Sequence, residues 1–241
     1  LLSNIVLTEL DRKLEERGHH FVRYADDCNI YVRSERSGQR VMASVTRFIE
    51  GRLHLKVNLA KSAVARPEER HFLGFRLKVR PLAGDVEVRL SKRTIDRAYE
   101  KIRMLTPRTF GQTLEVCIEQ VNGYLRGWIN FFGICSPGER IMLVDLDAHV
   151  RRRLRATLLR QWKRQRSIVR RLIRLGVNKK MAWKGVTKGH CSWWALSNAP
   201  CVNYGLKNAY FAKRGLVSLI ALWRPASVTT SPSGQLSLAF G

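Results

Sequence analysis

The stretch "HHFVRYADDCNIYVRS", residues 19–34, sets two adjacent acids, Asp26 and Asp27, between two apolar runs. Residues 20–24 and 28–32 are rich in Phe, Val, Tyr and Ile. This predicts two short strands of a hairpin, with Ala25, Asp26 and Asp27 at or beside its turn. Aspartate is common in turns, yet an Asp-Asp pair is not the Asn-Gly or Asp-Gly chemistry that tight hairpins favour. The residues before the pair are apolar enough to be buried, which would hold the acids on rigid structure. Neighbouring carboxylates repel, so the pair is costly without a shared cation. A carboxylate pair together with substrate phosphates is how Mg²⁺ is usually held. Two such ions roughly 3.5–4 Å apart stabilise the attacking and leaving oxygens of phosphoryl transfer.

The remainder of the chain supplies the counterpart for phosphate. Its 241 residues hold 44 Lys and Arg against 19 Asp and Glu, a formal charge of +25, which favours a polyanion. Residues 1–80 carry sixteen basic and ten acidic side chains, whereas 148–241 carry nineteen basic and no acidic ones. An acid-free stretch of that length repels itself unless phosphates neutralise it. No apolar span approaches transmembrane length, so a membrane surface is the weaker candidate. Five cysteines (Cys28, Cys117, Cys135, Cys191 and Cys201) show no CxxC spacing, and no signal peptide is evident. Both features imply a reducing, cytoplasmic setting without structural disulfides. His190, Cys191 and Cys201 lack a fourth ligand at zinc spacing.

Periodicity divides the chain. Ile5, Leu7, Leu10 and Leu14 predict an opening helix that stops at Gly18, and its start at Leu1 without methionine suggests a fragment of a longer protein. A second helix is predicted over 37–53, with Val41, Val45, Phe48, Ile49 and Leu53 on one face. Residues 55–65 read as a turn or short strand, Lys61, and another strand. "RHFLGFRLKV" and "DVEVRL" predict a further hairpin about Pro81 and Gly84. Beyond Leu90 the pattern is helical. Ser91 is the expected N-cap of 92–105, which Pro107 ends. An apolar stripe of Val116, Cys117, Gln120, Tyr124, Trp128 and Phe131 marks 113–133. One helix over 147–175 follows, N-capped by Asp147 and closed by Gly176. Its expected inward face is Val150, Leu154, Leu158, Trp162, Val169, Leu172 and Ile173. Altogether the expected fold class is α+β: an antiparallel sheet backed by helices, then an all-helical region. There is no internal repeat.

"YADD" between apolar strands resembles the catalytic hairpin of reverse transcriptases, and further blocks extend the likeness. "LLSNIVLTELDRKLEERG" resembles the helix leading into that hairpin in group II intron-encoded proteins. "GRLHLKVNLAKSAV" is similar to the block that follows it, and "HFLGF" to the primer grip. "VNGYLRGWINFFG" and the arginine-rich helix resemble the family's maturase-specific thumb, or domain X. The resemblance implies a partial palm at 1–90, a helical thumb at 91–176, a basic aromatic DNA-binding extension at 177–224 and a flexible tail at 225–241. It implies that Asp26 and Asp27 are catalytic metal ligands for Mg²⁺, the two-metal site being completed by an aspartate upstream of this chain. Tyr24 and Ala25 would lie beside the primer end, and Lys61 would protonate the pyrophosphate leaving group, a role worth roughly 10²–10⁴ in rate. Phe72, Leu73, Gly74 and Phe75 would form the primer grip, Gly74 permitting close backbone approach. Lacking that third aspartate and the fingers, the chain alone is expected to be inactive as a polymerase.

"HVRRRLRATLLRQWKRQRSIVRRLIRLG" is apolar on one side and cationic elsewhere. Arg suits phosphate forks and stacks on exposed bases. The expected nucleic-acid contacts are Arg151, Arg152, Arg153, Arg155, Arg160, Lys163, Arg164, Arg166, Arg170, Arg171 and Arg174. Trp193, Trp194, Tyr204, Tyr210 and Phe211 offer stacking surfaces or a small core, and core is the commoner use. By resemblance the partners are group II intron RNA, an RNA template with its DNA primer, target DNA and dNTPs, in a bacterial cytoplasm. The implied function is intron splicing assistance and retrohoming by target-primed reverse transcription. A retained maturase that binds RNA without copying it is the alternative. A reverse transcriptase domesticated for defence would lack the thumb motifs, and a purely structural RNA-binding protein would leave the paired aspartates unexplained.

Overall fold

Leu7, Leu10 and Leu14 recur at helical spacing and form the buried ridge of α1 (Leu2–Glu16). The computed structural model describes residues 2–79, 86–107, 111–188 and 192–224. Ile5, expected on the same face, is exposed. It stands two residues from Leu7, about 200° round the helix at 3.6 residues per turn. The chain divides into two compact units, residues 1–84 and 85–241.

In the first unit, strands β1 (His20–Tyr24) and β2 (Asp27–Tyr31) pair antiparallel. Phe21, Cys28 and Ile30 pack on the leucine ridge, joined by Val45, Phe48, Ile49 and Leu53 from α2 (Glu35–Gly51) and its C-terminal edge. The Ser34 hydroxyl caps α2 by accepting from the Ser37 amide at 3.2 Å. Residues 55–65 contain no strand, in contrast to the sequence expectation; a turn at 59–61 sits in otherwise irregular chain. Strand β3 (Phe75–Val79) ends the unit. The turn expected about Pro81 and Gly84 lies outside the described residues.

The second unit opens with β4 (Val86–Leu90) and continues in helices. Ser91 caps α3 (Lys92–Leu105), accepting from the Thr94 amide at 3.2 Å. Helix α4 (Leu114–Phe132) is capped by Thr113. Its inward face is Leu114, Cys117, Ile118, Val121, Leu125, Trp128 and Ile129, so the expected stripe is corrected: Val116, Gln120 and Phe131 face outward.

The helix expected over 147–175 is two helices, α5 (Arg140–Trp162) and α6 (Gln165–Arg174), broken where Lys163 adopts φ +56°. The composition explains the break. A straight helix would carry Gln165 and Arg166 inward after Trp162, whereas the break returns Ile168, Val169 and Leu172 to the core. Asp147 is therefore not an N-cap. It lies buried inside α5, and its carboxylate accepts from the Ser218 hydroxyl at 2.5 Å and the Leu219 amide at 2.9 Å. Gly176 closes α6 at φ +88°, the left-handed position glycine favours.

Residues 177–188 and 192–224 pack into this same unit as short helices: α7 (Lys179–Thr187), α8 (Trp193–Leu196), α9 (Pro200–Gly205), α10 (Asn208–Ala212) and α11 (Leu219–Leu222). Asn122 ties it to α4, donating to the Gly215 carbonyl at 2.8 Å and accepting from the Val217 amide at 3.0 Å. Phe211 is fully buried, while Tyr204 is exposed. The tail at 225–241 lies outside the described residues, as do His190 and Cys191.

Candidate nucleic-acid site and interface

Strand alternation decides which side chains of the β1–β2 hairpin meet the core. The pairs Phe21↔Ile30 and Arg23↔Cys28 face α1, and the pairs Val22↔Asn29 and Tyr24↔Asp27 face away. Asp27 is the first residue of β2 rather than part of the turn, which leaves a two-residue connection of Ala25 and Asp26. Ala25 takes φ +54° at a position where hairpins favour glycine, and such strain costs about 1–3 kcal/mol where surrounding structure must enforce it. Asp26, Asp27 and Tyr24 are all exposed, with both carboxylates at the hairpin tip.

Arg23 supplies the enforcement. Its guanidinium grips Asp11 of α1 at 2.7 and 2.5 Å, donates to the Asn4 side chain at 3.0 Å and to the Ala25 carbonyl at 2.8 Å. The strained turn is thereby fastened to the opening helix by a bidentate, mostly buried ion pair. The hydrogen bond from Arg23 to Asp11 raises the arginine pKa above its ordinary value, so this clamp stays charged. Sequence reasoning missed Arg23. The available signal was a charged residue at an inward position of a strand.

A second tight turn lies at the expected primer grip. Phe72 and Phe75 exchange two backbone hydrogen bonds of 2.9 Å, and Leu73 and Gly74 between them take φ +52° and +86°. Two consecutive positive φ values define the turn whose twist suits a hairpin, and glycine meets that demand without strain. All four residues are half-buried. Lys61 is exposed on the turn at 59–61; its amide donates to the Asn58 carbonyl, and its carbonyl accepts from Arg70 at 2.7 Å.

Asp26 and Asp27 offer hard carboxylate oxygens that suit Mg²⁺. Among the described residues no group of three His, Cys, Asp or Glu side chains converges as a metal site. The pair fits Mg²⁺ in donor chemistry and leaves further ligands to come from water, substrate phosphate or another carboxylate. Burial pushes the Cys28, Cys117 and Cys135 thiols up to about 11.

In the helical unit, Arg160, Lys163, Arg164, Arg166, Arg170, Arg171 and Arg174 are exposed on α5, α6 and the link between them. Arg152 lies over Trp194, 3.9 Å from the ring centre, and Arg155 donates to the Leu206 carbonyl at 2.9 Å. Arg153 is a correction. It is buried, and its guanidinium donates to the Thr106 hydroxyl at 2.9 Å and to the Thr106 carbonyl at 2.5 Å. A cation at the C-terminal end of α3 satisfies orphan carbonyls there, so Arg153 holds helices together and does not face nucleic acid. Arg153→Ala should lower stability in urea denaturation by about 2–4 kcal/mol, through lost packing and unpaired acceptors. The salt dependence of RNA binding should be unchanged in protein that remains folded.

His149 packs edge-on against Tyr99 at 4.8 Å and Trp194 at 5.7 Å. Burial, reinforced by Arg153, Arg103 and Arg152, lowers its pKa from 6.5 to about 4. Between those values the unfolded chain binds a proton that the folded chain refuses, so stability falls as pH drops through the window. The urea midpoint should be lower at pH 5 than at pH 7, and His149→Gln should reduce that difference.

No helix among the described residues is long and apolar enough to cross a membrane. Two protein-family descriptions match the chain: "Reverse transcriptase (RNA-dependent DNA polymerase)" over residues 1–77, and "Group II intron, maturase-specific domain" over residues 95–174. No curated protein matches it. The first match spans the carboxylate hairpin and the Phe72–Phe75 turn, and the second spans α4, α5, α6 and most of α3.

Proposed function

Because the chain belongs to the group II intron-encoded reverse transcriptases and maturases, we propose that it joins a metal-holding hairpin to a helical unit that grips intron RNA. The observation that carries this is the order of parts: two exposed carboxylates on a fastened strained turn, followed by an acid-poor helical unit whose α6 and link to α5 turn their cations outward.

Asp26 and Asp27 would hold Mg²⁺, which when bound supplies charge stabilisation to the attacking 3′ oxygen and the leaving pyrophosphate. Arg23 positions the turn, so the carboxylates do not have to be ordered at the moment of reaction. Tyr24, beside Asp27 on the exposed face, lines the place of the primer terminus. The backbone turn at Leu73 and Gly74 supports the primer strand, and Lys61 delivers the proton to pyrophosphate. Template RNA, DNA primer and dNTPs are the substrates, and target DNA is reached through the residues beyond 177.

The cations of α6 and of its link to α5 would hold intron RNA by its phosphates and favour its splicing-competent fold. The experiment that tests the whole reading is filter binding of the chain to structured intron RNA and to a primer–template duplex over a salt series. Steep salt dependence with both supports it, and salt-independent or absent binding refutes it. An RNA-binding maturase without polymerase chemistry is the second reading, favoured by the exposed cations of α6, which can hold RNA without any part of the carboxylate hairpin. It predicts that Asp26→Ala leaves every function intact.

A further inference from the structure

A cleft of about 460 Å³ opens in the helical unit between α5 and the short C-terminal helices. Arg151, Arg152 and Arg155 line one side, and Asn198, Asn203 and Asn208 contribute from around α9 and α10. Asp145 is the lone carboxylate in the lining, so the cleft is net cationic. Its volume is comparable to that of small-ligand pockets, and it is open to one side. A double helix cannot enter it.

The polar groups narrow the ligand further. The Asn203 amide nitrogen donates to the Asn198 carbonyl at 3.1 Å, which fixes the amide with its oxygen free to accept. That oxygen, Arg152 Nε and His149 Nε2 are buried and have no hydrogen-bond partner among the described residues. They comprise one acceptor, one donor and an imidazole nitrogen able to be either. Phosphate only accepts, so phosphate alone leaves the Asn203 oxygen unanswered. A nucleobase edge or a ribose hydroxyl both donates and accepts. All three atoms belong to residues that line the cleft, and a nucleobase edge or ribose entering it brings both kinds of partner. Arg152, its guanidinium carbon 3.9 Å from the Trp194 ring centre, adds a guanidinium of the kind on which unpaired bases stack.

We infer that this cleft takes a single unstacked nucleotide, its phosphate on Arg151 and Arg155 and its base or ribose at the asparagines. The inference rests on the RNA-gripping reading above and deepens it: the helical unit then recognises an unpaired nucleotide in addition to a phosphate surface.

Fluorescence anisotropy with two RNA hairpins, identical except for a single-nucleotide bulge, tests this on the full chain. The chain should bind the bulged hairpin about 10-fold more tightly, the scale of one stacked base. Asn203→Leu should erase that preference while leaving the affinity for the bulge-free hairpin unchanged. Asn208→Ala, at an exposed position, should reduce the preference in the same direction and covers the case in which Asn203→Leu does not fold. Equal binding of both hairpins by the unaltered chain overturns the inference, as does a preference that survives both substitutions. Binding of neither hairpin overturns it together with the RNA-gripping reading. Excess adenosine monophosphate distinguishes the two sources of the ligand. Loss of the bulge preference assigns the cleft to nucleotides free or strand-borne, and retention assigns it to a nucleotide within the strand.

Discussion

Asp26→Ala should abolish templated DNA synthesis in any preparation in which the unaltered chain supports primer extension. Losing a carboxylate that holds a catalytic metal forfeits several kcal/mol of transition-state stabilisation. Each 1.36 kcal/mol is tenfold in rate, so the expected loss is about 10³-fold or more. The same substitution should leave intron RNA affinity within about twofold, as for an exposed residue outside the gripping surface. Primer extension and filter binding on the same preparations check both halves. Unchanged extension removes Asp26 from the metal site and favours the RNA-binding maturase reading.

Changing Arg164, Arg166, Arg170 and Arg174 together to alanine should weaken intron RNA binding on the order of 10²-fold at 0.1 M salt. These four are exposed on α6 or at its start and cross no buried boundary, so folding should survive. Because each lost phosphate contact also removes counterion release, log affinity against log salt should become shallower by about 3. Equal slopes for variant and parent would remove this surface from the interface. Arg153 is left out deliberately, since its loss would report on packing instead.

Sequence reading reached furthest where one physical signal dominates. The leucine spacing of α1, the strand runs about Asp26 and Asp27, the Ser91 cap and the Gly176 stop are all local. Each follows from periodicity or from backbone preference at a single position. Asp147 shows where such reasoning ends: its composition and place suggested a cap, but its partners are Ser218 and Leu219, seventy-one and seventy-two residues away. Arg153 fails for a related cause. Among consecutive arginines only the one facing α3 is buried, and helix phase alone could not say which neighbour would be there. The break at Lys163 was legible in retrospect, because no apolar residue continues the Trp162 face through 163–167.

The candidate site divides in the same way. The carboxylates and the Phe72–Phe75 turn were evident as motifs, but the structure adds what holds them. Arg23 spans from Asp11 and Asn4 to the Ala25 carbonyl, joining residues far apart in sequence into one support for a strained turn. The asparagines of the α5 cleft carry no motif. They come together through the folding of the residues beyond 177 onto α5.

Photo-crosslinking of a primer–template duplex with 4-thiothymidine at the primer 3′ terminus tests the central claim most directly. The account predicts crosslinks within the peptide bearing Tyr24 to Asp27 and in that bearing Phe72 to Phe75. Crosslinks confined to other peptides, with none at the carboxylate hairpin, would contradict it.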